Sequence, residues 1–230
     1  MKREIIITGD GSTTIQIADW NEQYHSIHGA IQEAYHVFIK HGVQHYNSFH
    51  CSSGTVLESK NITILEIGFG TGLNAFITLL EAQKLGLDII YTGVEAYPVS
   101  DEEIDALNYT KSLKAENSDL LFNKLHNTTW EEPHQIHDSF TLTKQKKFFI
   151  EINDVETYNI IYFDAFGARV QPELWTEPIF EIMYKALKPK GVLVTYSAKG
   201  SVRRAMQAVG FIVERLPGPP GKREMLRATK

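Results

Sequence analysis

The sequence predicts an α/β fold of the Rossmann-like kind, a parallel sheet covered by helices. From Ile62 onward the order is strand, helix, strand, and parallel strands need such crossovers. The run Asn159-Ile160-Ile161-Tyr162-Phe163-Asp164 is apolar until its final carboxylate, the pattern of a central strand buried on both faces. Ile64-Leu65-Glu66-Ile67-Gly68-Phe69-Gly70-Thr71-Gly72-Leu73-Asn74 passes from an apolar strand through alternate glycines into a helix. Glycines there let the chain turn tightly and keep side chains away from a ligand lying over the helix N-terminus.

Ahead of that core, Glu4 to Ala18 reads as a hairpin turning at Gly9-Asp10-Gly11-Ser12. Ile27, Ala30, Ile31, Ala34 and Phe38 mark one face of a helix expected over Tyr24 to Ile39. Residues 1–60 are thus an N-terminal hairpin-plus-helix extension expected to pack on a core of residues 61–230. Leu73, Phe76, Ile77 and Leu80 give the first core helix its buried stripe, and Gly86 ends it. The strand Ile89 to Val94 ends in Glu95, and Ser100 with Glu103 forms a capping box that opens the next helix. His134 to Val155 breaks the rhythm and reads as an inserted hairpin: Phe140 to Leu142, a charged turn from Lys144 to Lys147, then Phe148 to Ile152. Thr176 caps a helix over Glu177 to Leu187 that stops at Pro189 and Gly191, and Gly191 to Tyr196 is the next strand. Ser201 caps a helix over Val202 to Val209 that Gly210 closes. Phe211 to Glu214 and Glu224 to Ala228, joined by a proline- and glycine-rich loop, must pair antiparallel. With no internal repeat or low-complexity linker, a second globular domain is not expected.

Composition narrows the function. The chain of 230 residues is 43% hydrophobic and 22% charged, ordinary for a soluble globular protein, and no apolar run approaches a membrane span. The N-terminus enters a short β-like run instead of a signal peptide. Cys51 is the single cysteine, which excludes an internal disulfide and a multi-cysteine metal site and gives a cytosolic profile. Its neighbours Ser52, Ser53 and Gly54 look like loop and supply no base. His25 with His28, and His134 with His137, are i, i+3 pairs without a third ligand at a recognisable spacing, so no metal is expected. A net charge of −5 argues against non-specific nucleic-acid binding, yet residues 185–230 are rich in Lys and Arg against only Glu214 and Glu224. That quarter reads as a patch for a polyanion or as a solvated basic face.

The glycine spacing separates two cofactors. A dinucleotide fingerprint counted from Gly68 puts Leu73 where its third glycine belongs. The alternate glycines instead resemble motif I of the S-adenosylmethionine-dependent methyltransferases, with the acidic Glu66 at its start. Glu95 follows the last glycine at about 20 residues, the distance at which nucleotide folds place a carboxylate on ribose hydroxyls. A solvated strand-end glutamate is the other reading.

Tyr24-His25-Ser26 to Phe38, Leu65 to Asn74, Asp164-Ala165-Phe166, Pro172-Glu173-Leu174-Trp175-Thr176, Ser201-Val202-Arg203-Arg204 and Gly221-Lys222-Arg223-Glu224-Met225 together resemble the methyltransferase half of the MnmC-like tRNA wobble-uridine modification enzymes. The resemblance covers roughly Asp10 to the end. It implies a class I S-adenosylmethionine methyltransferase fold with its C-terminal antiparallel hairpin, and methylation of the aminomethyl group of a modified wobble uridine, giving 5-methylaminomethyl(-2-thio)uridine. S-adenosylmethionine is then the cofactor and tRNA the partner, in the cytoplasm. The FAD-dependent oxidase half of the bifunctional members is not in this sequence, so separate enzymes are expected to supply the aminomethyl group. Where many relatives have Ala-Pro and a lysine after Asp-Ala-Phe, Gly167-Ala168-Arg169 stands here, and Arg169 keeps the charge.

Under this resemblance the cofactor residues are Glu66, Gly68, Phe69, Gly70, Gly72, Asn74, Glu95 and Asp164, with Asn153 or Asp154 meeting the adenine amino group or else forming a hairpin exit turn. Asp164, at the C-terminal end of a central strand, hydrogen-bonds and orients the substrate amine and can accept the proton it releases, or else caps a loop. Phe166 and Trp175 stack on the extruded base or belong to the core. Arg203, Arg204, Lys222 and Arg223 meet tRNA phosphates, while His28 and His36 line the substrate entrance. Two alternatives stay open: a small-amine (aminopropyl or N-methyl) transferase, and a non-catalytic S-adenosylmethionine-binding partner of a modification complex.

Overall fold

The computed structural model describes residues 2–52 and 61–230. Strands β1 (Arg3–Ile7) and β2 (Thr13–Ile17) form the expected antiparallel hairpin, and the short β3 (Glu22–Gln23) adds a third strand. The following helix starts later than its periodicity predicts. Gly29 interrupts it at φ 154°, so α1 spans Ala30–Ala34 and Ile27 is exposed. A π-helical stretch, Tyr35–Gln44, then leads into α2 (His45–Ser52). The backbone of Cys51 and Ser52 is therefore helical and not loop; Ser53 and Gly54 lie outside the described residues.

Among the described residues eight strands make the main sheet: β4 (Asn61–Ile67), β5 (Asp88–Val94), β6 (Pro133–His137), β7 (Phe140–Gln145), β8 (Tyr158–Phe163), β9 (Leu187–Thr195), β10 (Ile212–Pro217) and β11 (Glu224–Thr229). Their order is β10-β11-β9-β8-β4-β5-β7-β6. The five inner strands β7, β5, β4, β8 and β9 are parallel, and the C-terminal β10–β11 hairpin joins antiparallel, as predicted. Period-two alternation sorts the core onto the two faces. Ile62, Ile64, Ile160 and Tyr162 pack with α3 (Leu73–Leu85) and the N-terminal helix, while Leu65, Ile67, Ile161 and Phe163 pack with the helix Glu177–Ala186 and its neighbours. Gly42 lets the π-helical stretch approach the sheet, since a Cβ there would lie 3.2 Å from the Tyr162 ring. With a helix on its outer side, α3 is buried far beyond the predicted stripe, from Leu73 through Ala82.

The insertion near residue 140 differs from expectation. Phe140–Gln145 is a main-sheet strand parallel to β5, and its hairpin partner is the preceding β6. Phe149–Glu151 is a single 3₁₀ turn instead of a strand. Lys144, read as part of a charged turn, points inward with Leu142 and Phe140; its ammonium donates to His126 O at 2.6 Å and lies 5.2 Å from the Trp130 ring centre. Between Glu95 and Pro133 the chain forms α4 (Asp101–Asp105), opened by the predicted Ser100/Glu103 capping box, then α5 (Tyr109–Leu113) and α6 (Ser118–Asn127). Helices α7 (Glu177–Ala186) and α8 (Gly200–Ala208) follow β8 and β9. Thr176 occupies the N-cap of α7 as expected, although its hydroxyl donates to Glu173 O and not to the helix; the Ser201 cap is corrected, since Ser201 sits inside α8, whose N-cap is Lys199.

Candidate active site

The glycine loop is shaped by three different neighbours. Gly68, Gly70 and Gly72 all have positive φ, at 88°, 50° and 71°. A Cβ on Gly68 would lie 2.8 Å from Asp164 O, one on Gly70 3.0 Å from the Tyr24 ring, and one on Gly72 2.9 Å from His126 Nε2. Strand β8, the N-terminal segment and α6 thus each press against one glycine, and only glycine meets both the backbone angle and the clearance.

Above the loop opens a cavity of about 830 Å³, toward the upper end of small-molecule sites at roughly 300–1,000 Å³. Gly68 and Gly70 give it a bare backbone floor, and Glu95 lines it. Glu95 Oε2 accepts the Gly70 N–H at 3.1 Å and Oε1 accepts the Tyr97 N–H at 2.9 Å. A carboxylate has about four acceptor positions, so about two remain for a ligand. Tyr97, Phe148, Phe149 and Ile150 supply an apolar wall beside it. A side-chain-free floor, a carboxylate for paired hydroxyls and an apolar flank together fit the nucleoside half of S-adenosylmethionine.

The other half of the cavity is built by the N-terminal segment, which sequence periodicity assigns to a helix. Trp20, Tyr24, His25 and His28 line it, facing Asp164, Phe166, Tyr196 and Lys222. The Phe166 ring meets Tyr24 edge-on at 4.9 Å and Trp20 at 5.7 Å. Arg169 ties this segment down, donating to Trp20 O at 2.9 Å and Asn21 O at 3.0 Å and pairing with Glu22 at 2.7 Å.

Asp164 is 7% exposed, directly after β8. Its Oδ2 accepts from Asn74 Nδ2 at 2.8 Å, and the same nitrogen donates to Glu66 Oε1 at 2.9 Å. Burial, reinforced by the negative charge of Glu33, pushes the Asp164 pKa up to about 7, with Asn74 and Lys222 pulling the other way. Burial lowers His25 to about 4, so it is neutral at physiological pH. Lys222 is turned toward the cavity: it forms an ion pair with the buried Glu33 and lies 3.8 Å from the Tyr196 ring centre. Glu33 also accepts the Ser26 N–H at 2.8 Å, which fixes the segment carrying His25.

Of the predicted cofactor residues, Gly68, Gly70, Glu95 and Asp164 line the cavity. Glu66 is wholly buried beneath it, where burial raises its pKa well above the usual carboxylate value. Asn74 sits between Glu66 and Asp164 behind the wall, Phe69 packs between Gly93 and the rings of His126 and Trp130, and Gly72 faces α6. Asn153 and Asp154 are not among the lining residues, and Asp154 accepts instead from Tyr158 OH at 3.3 Å. Of the stacking pair, Phe166 lines the cavity, whereas Trp175 is buried in the core with its Nε1–H donating to Phe166 O at 2.8 Å. Arg204 and Arg223 are exposed and Arg203 is partly buried. His28 lines the cavity; His36 lies apart from it, 2.8 Å from Pro217 O. Sequence reasoning does not assign Tyr24, His25, Glu33 and Tyr196 to the site. Among the described residues no cluster of His, Cys, Asp and Glu suits a metal, and no helix is long and apolar enough to cross a membrane.

Residues 111–230 match the model of a family described as S-adenosyl-L-methionine-dependent methyltransferase. The tRNA 5-methylaminomethyl-2-thiouridine biosynthesis bifunctional protein MnmC of Hydrogenovibrio crunogenus is 26% identical over 220 residues, covering 90% of this chain and 31% of that protein. Its namesake from Cupriavidus metallidurans is 26% identical over 249 residues, covering 96% and 33%. The chain therefore spans about a third of the length of these curated relatives. Among solved structures, MNMC2 from Aquifex aeolicus has a TM-score of 0.76 at 24% identity, covering 99% of this chain and 69% of that one. A probable spermidine synthase from Corynebacterium glutamicum has a TM-score of 0.53 at 17% identity, covering 99% and 76%. These two likenesses show a shared fold.

Proposed function

The chain belongs to the S-adenosyl-L-methionine-dependent methyltransferase family, and from that premise we propose that it methylates the aminomethyl group of a modified wobble uridine in tRNA. The observation that carries this reading is Asp164, a buried carboxylate with a raised pKa, facing an aromatic-walled cavity from the end of β8. The names of the similar MnmC proteins supply the substrate class.

Gly68 and Gly70 would support the cofactor through their backbone, Glu95 would receive its ribose hydroxyls, and Tyr97, Phe148 and Ile150 would flank its base. Bound there, S-adenosylmethionine supplies a methyl carbon on a sulfonium, whose C–S bond breaks as the N–C bond forms, releasing a neutral thioether. The protein's task is to present an amine with a free lone pair in a site closed to water. An aminomethyl group arrives as an ammonium, and Asp164, poised near neutrality, takes the surplus proton. The rings of Phe166, Tyr24 and Trp20 form a wall against which a uracil can pack. Arg204 and Arg223 remain as surface contacts for tRNA phosphates, while Lys222 is committed to Glu33 and the cavity.

A free small amine is the second reading, favoured by the carboxylates of Glu22, Glu33 and Asp164 that line the same space. Mass spectrometry of tRNA nucleosides from cells with and without the protein separates the two. Loss of the methylaminomethyl nucleoside, with its aminomethyl precursor accumulating, supports the tRNA reading; an unchanged nucleoside profile contradicts it.

A further inference from the structure

We infer that the cavity grips a primary amine at two points, Asp164 and His25, and that His25 limits the reaction to a single methyl group. The inference rests on the amine-methylation reading of this site. His25 Nδ1 and Asp164 Oδ2 face each other across 4.0 Å, with side chains 8% and 7% exposed, and both line the cavity. That gap is too long for a hydrogen bond between them. Two acceptors that far apart can share one nitrogen at about 2.9 Å from each, with both N–H bonds bent by roughly 10° from linear.

The other side of the imidazole meets a hydroxyl. Nε2 lies 2.8 Å from Thr71 Oγ1, which also accepts from Tyr109 OH at 3.1 Å. A hydroxyl oxygen has two acceptor lone pairs, so Thr71 can take both the tyrosine proton and an Nε2–H, and we assign the imidazole that tautomer. Nδ1 is then a bare acceptor aimed at the space beside Asp164. Its backbone is fixed as well, because the His25 N–H donates to Thr14 Oγ1 at 3.1 Å.

Once its surplus proton has passed to Oδ1 of Asp164, leaving the two lone pairs of Oδ2 to Asn74 and one substrate N–H, a primary amine has two N–H bonds and one lone pair. Held by both hydrogens, it cannot rotate its lone pair away from the methyl donor. After one transfer and loss of a proton, the nitrogen keeps a single N–H and carries a methyl where the second stood. It then fills one acceptor, leaves the other buried and unpaired, and is rejected on the same grounds as any ligand missing a hydrogen the site was built to receive.

The test combines binding with product analysis on the purified full chain. Calorimetry with S-adenosylhomocysteine bound compares 5-aminomethyluridine with 5-methylaminomethyluridine. Wild type prefers the primary amine by about tenfold or more, and His25→Ala brings that preference close to one. Mass spectrometry of tRNA nucleosides after turnover shows only monomethylation for wild type and added dimethylation for His25→Ala, with S-adenosylmethionine affinity and melting temperature retained. His25→Gln, which restores an acceptor, recovers part of the preference. Thr71→Val, which removes the Nε2 partner and leaves His25 in place, weakens it and serves if His25→Ala does not fold. An unchanged preference in these variants, or none in wild type, overturns the inference. Failure of wild type to methylate tRNA refutes the functional reading instead, and the calorimetric comparison still tests the amine site separately.

Discussion

Replacing Glu95 with alanine tests the cofactor half of the site. Two of the carboxylate's acceptor positions are taken by the Gly70 and Tyr97 N–H groups at 3.1 and 2.9 Å, leaving its outer lone pairs for the ribose. A hydrogen bond to a charged acceptor contributes about 1.5–3 kcal/mol net, and paired hydroxyls share one carboxylate, so the loss should be about 2–3 kcal/mol. At about 1.4 kcal/mol per factor of ten, S-adenosylmethionine binding should weaken between one and two orders of magnitude. Gly70 and Tyr97 line the cavity, where water can take the carboxylate's place at their freed N–H groups, so the melting temperature should change little. Glu95→Gln keeps one acceptor oxygen and should fall between. Calorimetric titration of the three proteins measures this directly, and an unchanged dissociation constant in Glu95→Ala would refute the ribose assignment.

Three further outcomes are expected. Asp164→Asn keeps an oxygen for the Asn74 amide but cannot take a proton, so turnover should drop on the order of 10²–10⁴-fold while cofactor affinity holds; near-normal single-turnover rates would remove Asp164 from the chemistry. The carboxylate is the active form, so kcat/KM should rise with pH through about 7; Asp164 is surrounded by Glu66, Glu33, His25, Lys222 and Tyr196, and Glu33→Gln removes a charge that raises its pKa. The acid limb of the pH–rate profile should then move to lower pH, and an unmoved or raised limb contradicts the electrostatic account. Gly68→Ala forces a Cβ to 2.8 Å from Asp164 O at φ 88°, a strain of about 1–3 kcal/mol; thermal melting should show the loss, and equal stability would mean the loop relaxes freely.

The sheet is legible in the sequence because its strands are apolar runs and its glycines have no other use at that spacing. Glu95 and Asp164 are legible because they end such runs. The half of the cavity beside Asp164 is hidden by an accident of periodicity: Ile27, Ala30, Ile31 and Ala34 fit a helical face, but Gly29 starts the helix at Ala30 and leaves Tyr24 to His28 as cavity wall. The one available signal is the glycine itself. Lys144 misleads the strand assignment for a related reason, since a lysine reads as surface until a carbonyl and an indole are found to receive it. Lys222 reads as a phosphate contact from local charge, which cannot reveal that Glu33, far away in sequence, turns it inward. Trp175 looks like a stacking platform, but its Nε1–H is satisfied by Phe166 O inside the core.

The most direct test is methyl transfer by the purified protein, with isotopically labelled S-adenosylmethionine offered to tRNA carrying the aminomethyl wobble uridine and, in parallel, to free polyamines and simple primary amines. The account predicts a single labelled methyl on the wobble nucleoside, absent with Asp164→Asn, and no labelled small amine. Label on the free amines, with the tRNA untouched, would contradict it.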